Sequence, residues 1–202
     1  MSRASSLLCA VREQFPEFTG LQFTGTRGLE DHLNEIKEAT KLVPQQAIDK
    51  IGNCEISAVN RLNSGSRGEL TEYRGKPTLA IAKQSWTGKR YHNNKSVAGT
   101  VLHEMGHALD RTTNYRLSSH PDFRAALAKD IQKMTPEERK SSEYFFTGRE
   151  DQDPARAGPR ETFAEMFRLA YHKGQGAFAM SHQRANEVFG NSVNVLKKLV
   201  EK

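Results

Sequence analysis

Two histidines stand four residues apart within an apolar stretch of this chain, and a glutamate directly follows the first. Residues 103–107 read His-Glu-Met-Gly-His. Positions i and i+4 of an α-helix lie on one face, one turn apart, so His103 and His107 can hold one metal ion between them. Glu104 then lies beside that ion, where a carboxylate can activate a metal-bound water. The pattern predicts a helix that carries a catalytic zinc site.

The residues around this motif support a buried helix. Their apolar positions recur at helical spacing, at Val97, Val101, Leu102, Met105, Ala108 and Leu109. Gly106 costs such a helix about 1 kcal/mol relative to alanine, which a close approach of another backbone or of the metal's third ligand would explain. Asp110 shares the face of the two histidines, so we expect it to accept a hydrogen bond behind the metal. The alternative is an ordinary helix with two histidines, and it gives Glu104 no packing role.

A catalytic zinc ion normally has three protein ligands and a water, so a third ligand is needed. Residues 160–171 predict a second amphipathic helix, on which Glu161 and Glu165 share one face. One carboxylate can bind the metal while the other accepts the free ring N–H of a ligand histidine. The alternative is two solvated glutamates on a surface helix, and the neighbouring Phe163 and Phe167 argue against it.

These two segments together resemble a known family. His-Glu-Met-Gly-His-Ala-Leu-Asp at 103–110 and Glu-Thr-Phe-Ala-Glu-Met-Phe-Arg at 161–168 are similar to the catalytic domain of anthrax lethal factor and to the secreted Pro-Pro endopeptidases that share it. The resemblance covers these two short stretches. It implies a gluzincin-type zinc endopeptidase with a zincin-like fold and one Zn²⁺ per chain. It implies the ligands His103, His107 and Glu161, the general base Glu104, and Glu165 behind the ligands.

The chain departs from that family at one position. The family places a tyrosine that stabilises the oxyanion seven residues before the third ligand, and Pro154 stands there in this sequence. The nearest upstream tyrosine is Tyr144, which an enlarged loop over 149–159 would bring to the same place. Other candidates for this role are Tyr171, His172 and Arg160.

The order of predicted elements indicates an α+β domain with many helices and a small sheet. We expect a lead-in over 1–27, irregular or linked to secretion, and one catalytic domain over 28–202. Strands are expected over 54–60 and 78–83, with a turn or hairpin over 62–75 between them. Helices are expected over 28–40, 45–51, 96–110, 121–134, 160–171 and 182–201, with a further helix capped by Thr135.

The second predicted strand directly precedes the metal helix. A sheet edge at this place would bind an extended peptide through unpaired backbone groups. We therefore expect Leu79, Ala80, Ile81 and Ala82 to align the substrate, and an internal strand is the alternative. Trp86, the only tryptophan, either lines a substrate pocket or anchors the packing.

Composition limits the class of protein. The chain has 202 residues and a net charge of +6, but its lysines and arginines match no nucleic-acid-binding motif, so we expect no nucleic-acid partner. It contains no apolar run of the roughly 18 residues that a membrane span needs. Residues 7–11 are too short for a typical secretory signal, which leaves a cytosolic protein, export without a cleaved signal, or a chain from which residues have been trimmed. Cys9 and Cys54 predict ordinary thiols.

The expected function is hydrolysis of peptide bonds in a protein substrate by a soluble, monomeric zinc enzyme. The resemblance implies a bacterial toxin or an effector translocated into a host cell. Two alternatives remain: a module that binds a partner without cutting it, and a zinc hydrolase of a non-peptide amide. An intact Glu104 argues against the first, because an inactive relative loses its general base at no cost to the fold.

Overall fold

A computed structural model describes residues 11–13, 20–73, 75–147, 154–173 and 178–202 of the chain. They form an α+β domain with a small mixed sheet, as the sequence predicts. The strands are β1 (Val11–Glu13), β2 (Leu21–Gly25), β3 (Cys54–Val59), β4 (Gly68–Tyr73), β5 (Lys76–Ala82), β6 (Gln84–Trp86) and β7 (Tyr91–Asn93). The helices are α1 (Glu30–Thr40), α2 (Gln45–Ile51), α3 (Val97–Thr112), α4 (Pro121–Ile131), α5 (Pro136–Ser141), α6 (Glu143–Thr147), α7 (Pro154–Tyr171) and α8 (His182–Val200).

Five strands form the main sheet, in the order β1-β2-β3-β5-β4. The three central strands β2, β3 and β5 are parallel, and the outer strands β1 and β4 run antiparallel to their neighbours. Burial alternates along β3, with Cys54, Ile56 and Ala58 turned into the core. Strand β2 pairs along its length with β3, and its Phe23 is fully buried. Residues 21–25 therefore belong to the sheet, although the sequence placed them in the lead-in.

The prediction that residues 79–83 form a sheet edge is wrong. Strand β5 lies between β3 and β4, and both of its sides are hydrogen-bonded. Leu79, Ile81 and Ala82 are completely buried, as residues of a central strand are. The edge is β4, in the segment 62–75 for which the sequence indicated a turn or hairpin. Its residues Glu69, Thr71 and Glu72 are polar and suit an edge that must avoid pairing with other chains.

Helices α3 and α7 cross in close contact at the centre of the molecule. Gly106 of α3 lies against the backbone of Ala164 and the side chain of Phe167 in α7, where a Cβ at Gly106 would come within 2.8 Å of the Ala164 Cα. This is the close backbone approach that the glycine predicted. Because the two helices meet here, residues one turn along α3 face residues of α7 across a short gap.

Helix α7 begins at Pro154, so the predicted loop over 149–159 extends too far. Proline fits the first turn of a helix because no intrahelical partner exists there for its missing N–H. Gly158 and Pro159 lie inside the helix, and Gly158 packs directly on the backbone of Phe146. A side chain at position 158 would prevent this contact. The short helix α6 is thereby held against the start of α7, and Tyr144 comes to the cleft described below.

Candidate metal centre

Two histidines of α3 and one glutamate of α7 bring three ligand atoms together. Nε2 of His103 lies 3.1 Å from Nε2 of His107, and Glu161 carboxylate oxygens lie 3.5 Å from His103 and 3.6 Å from His107. All three ligand atoms lie within 4.8 Å of one another, so the group could hold a metal ion. Two imidazoles and one carboxylate are a donor set of catalytic zinc sites, and these residues fit such an ion.

Glu165, one turn along α7, occupies the position behind the histidines. Its Oε2 lies 3.3 Å from Nδ1 of His103, the ring nitrogen that faces away from the other ligands. Arg168 donates to both Glu165 oxygens, at 2.9 and 2.6 Å, and the backbone N–H of Phe178 donates to Oε1 at 3.2 Å. The geometry thus distinguishes two glutamates whose sequence spacing made them equivalent. Glu161 faces the ligand group, and Glu165 orients His103.

The charges of this cluster are strongly coupled. Burial lowers the pKa of His103, but hydrogen bonds to Glu161 and Glu165 outweigh it and raise the pKa to about 10. Burial raises the pKa of Glu161, but hydrogen bonds from His103 and His107 bring it well below its usual range. For Glu165, bonds from His103 and Arg168 likewise outweigh burial and lower the pKa to about 2. Without a metal, the cluster holds its charge as ion pairs.

Glu104 is enclosed between α3 and the edge strand β4. Only 8% of its surface is exposed, and burial raises the pKa of its carboxyl against the charges of His103 and His107. Gly68 of β4 packs directly on it, since a Cβ at position 68 would lie 2.7 Å from Glu104 Oε1. The sequence analysis missed this glycine, because no local pattern shows which strand passes over a helix. Gly68 gives the carboxylate room beside the ligand group.

A cleft of about 840 Å³ opens onto these residues. Its floor contains the two histidines, Glu104 and Glu161, and β4 with the residues before it forms one wall. Arg111 of α3 donates to Glu72 of β4 at 2.5 Å, which ties the edge strand to the metal helix. The first residues of β4 and the candidate metal centre therefore line the same cleft.

The candidates for oxyanion stabilisation differ in whether they line the cleft. Tyr144 of α6 lines it with 43% of its surface exposed, and Arg160 of α7 lines it too. Tyr171 and His172 are not among the lining residues, and the Tyr171 hydroxyl donates to Glu201. Tyr115, which the sequence analysis did not single out, lines the cleft with the Arg160 guanidinium 3.5 Å above its ring. Its φ of 58° turns the chain sharply after α3, a conformation that no local motif signalled.

Among the described residues, Asp110 does not accept the expected hydrogen bond from a residue behind the metal ligands. Asp110 is buried, and its Oδ1 accepts from the backbone N–H of Ser118 at 2.8 Å. Its Oδ2 has no hydrogen-bond partner within the part of the chain that the structure describes. Burial accordingly raises the pKa of this carboxyl. Asp110 thus fixes the turn that follows α3. Tyr115, which lines the cleft, lies in that turn.

The residues that the sequence assigned to substrate alignment lie away from the cleft. Strand β5 contributes its side chains to the core, and Trp86 of β6 packs on Tyr91 with a ring separation of 5.2 Å. Trp86 is 48% exposed but does not line the cleft. The cleft is lined instead by the segment from Ser66 to Leu70, which enters β4. The predicted position of Leu79, Ala80, Ile81 and Ala82 beside the cleft is therefore wrong.

A scan against models of known protein families finds no match, and a search of curated protein sequences finds none either. Among the described residues, no helix has the length and hydrophobicity that a membrane span requires. The side chains of the cleft are therefore the features from which a function can be inferred.

Proposed function

We propose that this chain is a zinc-dependent endopeptidase. The observation that carries the proposal is the convergence of His103, His107 and Glu161 at the floor of an open cleft, with the Glu104 carboxylate beside them. Two imidazoles and one carboxylate leave the fourth position of a tetrahedral zinc ion open for water, which is the arrangement of catalytic rather than structural sites. The resemblance to lethal-factor-type peptidases points to the same ligands and the same base.

Each residue of the cleft has a distinct role in this proposal. Zinc, when bound, supplies a Lewis acid and lowers the pKa of a bound water to about 7. Glu104 takes the proton of the attacking water and passes it to the leaving amine. Tyr144 lines the same cleft and donates a hydrogen bond to the oxyanion, with Arg160 as the second candidate donor.

The edge strand β4 favours a polypeptide substrate. One side of β4 pairs with β5, and the residues from Ser66 to Leu70 line the cleft. An extended peptide can add to such an edge through main-chain hydrogen bonds, which hold it in register beside the ligand group. A small amide would not need an open cleft along a strand, so a peptide bond is the bond that this site fits. A toxin or effector role is proposed from the family resemblance alone.

The test compares the wild-type chain with Glu104→Gln, which keeps the shape of the side chain and removes its basicity. Both proteins are loaded with one zinc per chain and incubated with a peptide library and a cell lysate, and new N-termini are labelled and identified by mass spectrometry. We expect termini that vanish with a zinc chelator and fall by about 10²–10⁴-fold with Glu104→Gln. Equal cleavage by the two zinc-loaded proteins would refute the role of Glu104. A complete lack of new termini from the zinc-loaded wild type would favour a binding module.

A further inference from the structure

A cationic hairpin lies outside the cleft and has no role in the chemistry above. Strands β6 and β7 form a separate two-stranded sheet. Residues 83–95 that contain it include four lysines and arginines and no aspartate or glutamate. The four are all exposed, at Lys83, Lys89, Arg90 and Lys95. We call the segment 83–95 together with Arg61, which packs on it, the cationic hairpin.

The charges of the cationic hairpin are not neutralised by the part of the chain that the structure describes. The ion pairs of exposed arginines and lysines in the described ranges involve Lys41, Arg111, Lys133 and Arg184, and none reaches Lys83, Lys89 or Arg90. Arg90 donates instead to Nε2 of His92 at 3.0 Å. The hairpin therefore presents a positive surface at Lys83, Lys89 and Arg90, whereas Lys95 lines a second pocket together with Asp31, Glu35 and Glu38.

Two aromatic rings lie at the centre of this surface. Trp86 and Tyr91 face each other across the hairpin, and 48% of the Trp86 surface is exposed. The Arg61 guanidinium lies 4.1 Å from the centre of the Tyr91 ring, and its Nε donates to Gln84 at 2.9 Å. Arg61 is thus held in place by stacking and by a hydrogen bond, so it loses little freedom when it meets an anion.

The cationic hairpin is continuous with the wall of the cleft. The backbone N–H of Trp86 donates to the carbonyl of Gly65 at 2.8 Å, and the Trp86 Cβ leaves no room for a side chain at Gly65. Two residues further on, Arg67 lines the cleft. Two residues of extended chain span roughly 7 Å. A polypeptide that lies along β4 therefore passes the hairpin within a few residues of the candidate metal centre.

We propose that the cationic hairpin is a docking site for an acidic segment of the polypeptide substrate. That the docked polypeptide is a substrate rests on the proposed function. The docking itself does not require catalysis. An acidic segment fits because its carboxylates complement Lys83, Lys89 and Arg90, while its apolar atoms can cover Trp86. Docking outside the cleft would supply affinity and select among proteins that share a cleavage motif.

Two other anionic partners fit the hairpin less well. The turn between β6 and β7 is Thr-Gly-Lys-Arg, and a polar tip of this kind offers a bilayer no apolar surface to insert. A single-stranded nucleic acid needs free aromatic faces for its bases. The Tyr91 ring is already covered by Arg61 on one face and packs on Trp86. Both partners are included as arms of the test.

The test measures binding in the zinc-loaded Glu104→Gln protein, so that no probe is cleaved. The probes are a fluorescein-labelled peptide of alternating glutamate and leucine, vesicles of phosphatidylserine and phosphatidylcholine, and a labelled single-stranded oligonucleotide. Fluorescence anisotropy or co-sedimentation reports binding. Trp86, the only tryptophan of the chain, reports burial of the hairpin through a blue shift of its emission. We expect the acidic peptide to bind and to shift this emission, and salt to weaken it.

A matched pair of variants separates the hairpin from general electrostatic attraction. Lys89→Glu/Arg90→Glu reverses two charges on the hairpin, and Lys129→Glu/Lys140→Glu reverses two exposed charges on α4 and α5. Both double variants change the net charge equally. We expect the hairpin variant to weaken peptide binding about tenfold or more and the control to change it little. Equal effects, no peptide binding, or tighter binding of the vesicles or oligonucleotide would overturn the proposal. Binding without any proteolytic activity in the wild type would instead refute the endopeptidase and leave a docking site.

Discussion

At the scale of single residues, the most informative contact joins the candidate base to a glycine on another element. A Cβ at Gly68 would lie 2.7 Å from Cγ and from Oε1 of Glu104, and 2.7 Å from Cγ2 of Thr100. The Glu104 atoms belong to the flexible end of a side chain, which can move at small energetic cost. A substitution at Gly68 would therefore change the position of the base more than the stability of the fold.

This contact makes Gly68→Ala a test of how the base is positioned. We expect the variant to bind one zinc and to unfold within about 1 kcal/mol of the wild type, because a side chain yields more readily than backbone. We expect kcat to fall by about tenfold or more, because an error of about 1 Å in a catalytic group is costly. Steady-state kinetics and zinc analysis measure both effects. Thr71→Ala, an exposed position on the same strand, is the control and should keep full activity. Unchanged kcat in Gly68→Ala would show that the base tolerates the displacement.

The charges of the ligand cluster predict that zinc binding releases protons. The pKa of His103 without metal is raised to about 10, so the ring carries a proton at neutral pH. A histidine must be neutral to bind zinc, so metal uptake at pH 7 should release about one proton, and zinc affinity should rise with pH. Isothermal titration calorimetry in two buffers of different ionisation enthalpy counts the protons. Glu165→Gln removes one of the carboxylate charges that hold the His103 proton and should reduce the number released. Identical heats in both buffers would contradict the prediction.

At the scale of elements, the crossing of α3 and α7 determines the distance between the ligands. Gly106 stands at this crossing, one residue before His107, and Ala164 and Phe167 of α7 fill the space where its side chain would be. Its neighbours there are a backbone atom and a Cβ, which cannot move aside as a flexible side chain can. The packing of two helices and the geometry of the metal centre thus depend on the same residue.

A pair of glycine substitutions tests this crossing. Gly106→Ala gains about 1 kcal/mol of helix propensity but overpacks the crossing by about 1–3 kcal/mol. Gly190→Ala in α8 makes the same exchange at a helical position with no atom within 4 Å of the new Cβ, so only the gain is expected. We expect Gly106→Ala to have a free energy of unfolding at least about 1 kcal/mol below that of Gly190→Ala, measured in urea. Equal values would show that the crossing has room for a methyl group.

The elements also show what the sequence could predict. Helices α1, α2 and α8 lie within a few residues of their predicted bounds, because apolar periodicity and Pro or Gly at the ends are local signals. The N-cap predicted at Thr135 is confirmed for the same reason, and Glu138 completes a capping box there at the start of α5. Strand order is not local, so the sequence assigned the edge to β5 and predicted a turn or hairpin where β4 lies. The hydrogen bond predicted for Asp110 is not observed for a similar reason, because a helix face does not show where the following turn will lie.

The separation of Glu161 from Glu165 is the clearest case of information that only the folded chain contains. Both lie on one face of α7, and sequence spacing treats them alike. The path of α7 past α3 puts Glu161 beside both histidine Nε2 atoms, and the chain near Phe178 and the side chain of Arg168 holds Glu165 behind them. The family resemblance predicted the same division, and the geometry is compatible with it.

At the scale of the whole molecule, a metal at this site would link two halves of the chain. Helix α3 packs against the sheet through α1 and β5, and α7 packs against α6 and α8. The ligands His103 and Glu161 are 58 residues apart in sequence, so a metal that joins them closes a long loop. A ligand that binds only the folded chain stabilises it according to its free concentration and affinity. Zinc should therefore report on the integrity of the entire fold.

Thermal unfolding measures this coupling. At a free zinc concentration 1,000 times Kd, binding adds about 4 kcal/mol to the free energy of unfolding, and a domain of this size gains about 2–4 °C in Tm per kcal/mol. We therefore expect zinc to raise Tm by roughly 8–16 °C over the chelator-treated protein. His103→Ala should lose this shift, because two ligands bind far more weakly than three, and Glu104→Gln should keep it. A zinc-dependent shift of the same size in His103→Ala would place the metal elsewhere, and its loss in Glu104→Gln would make Glu104 part of the metal site.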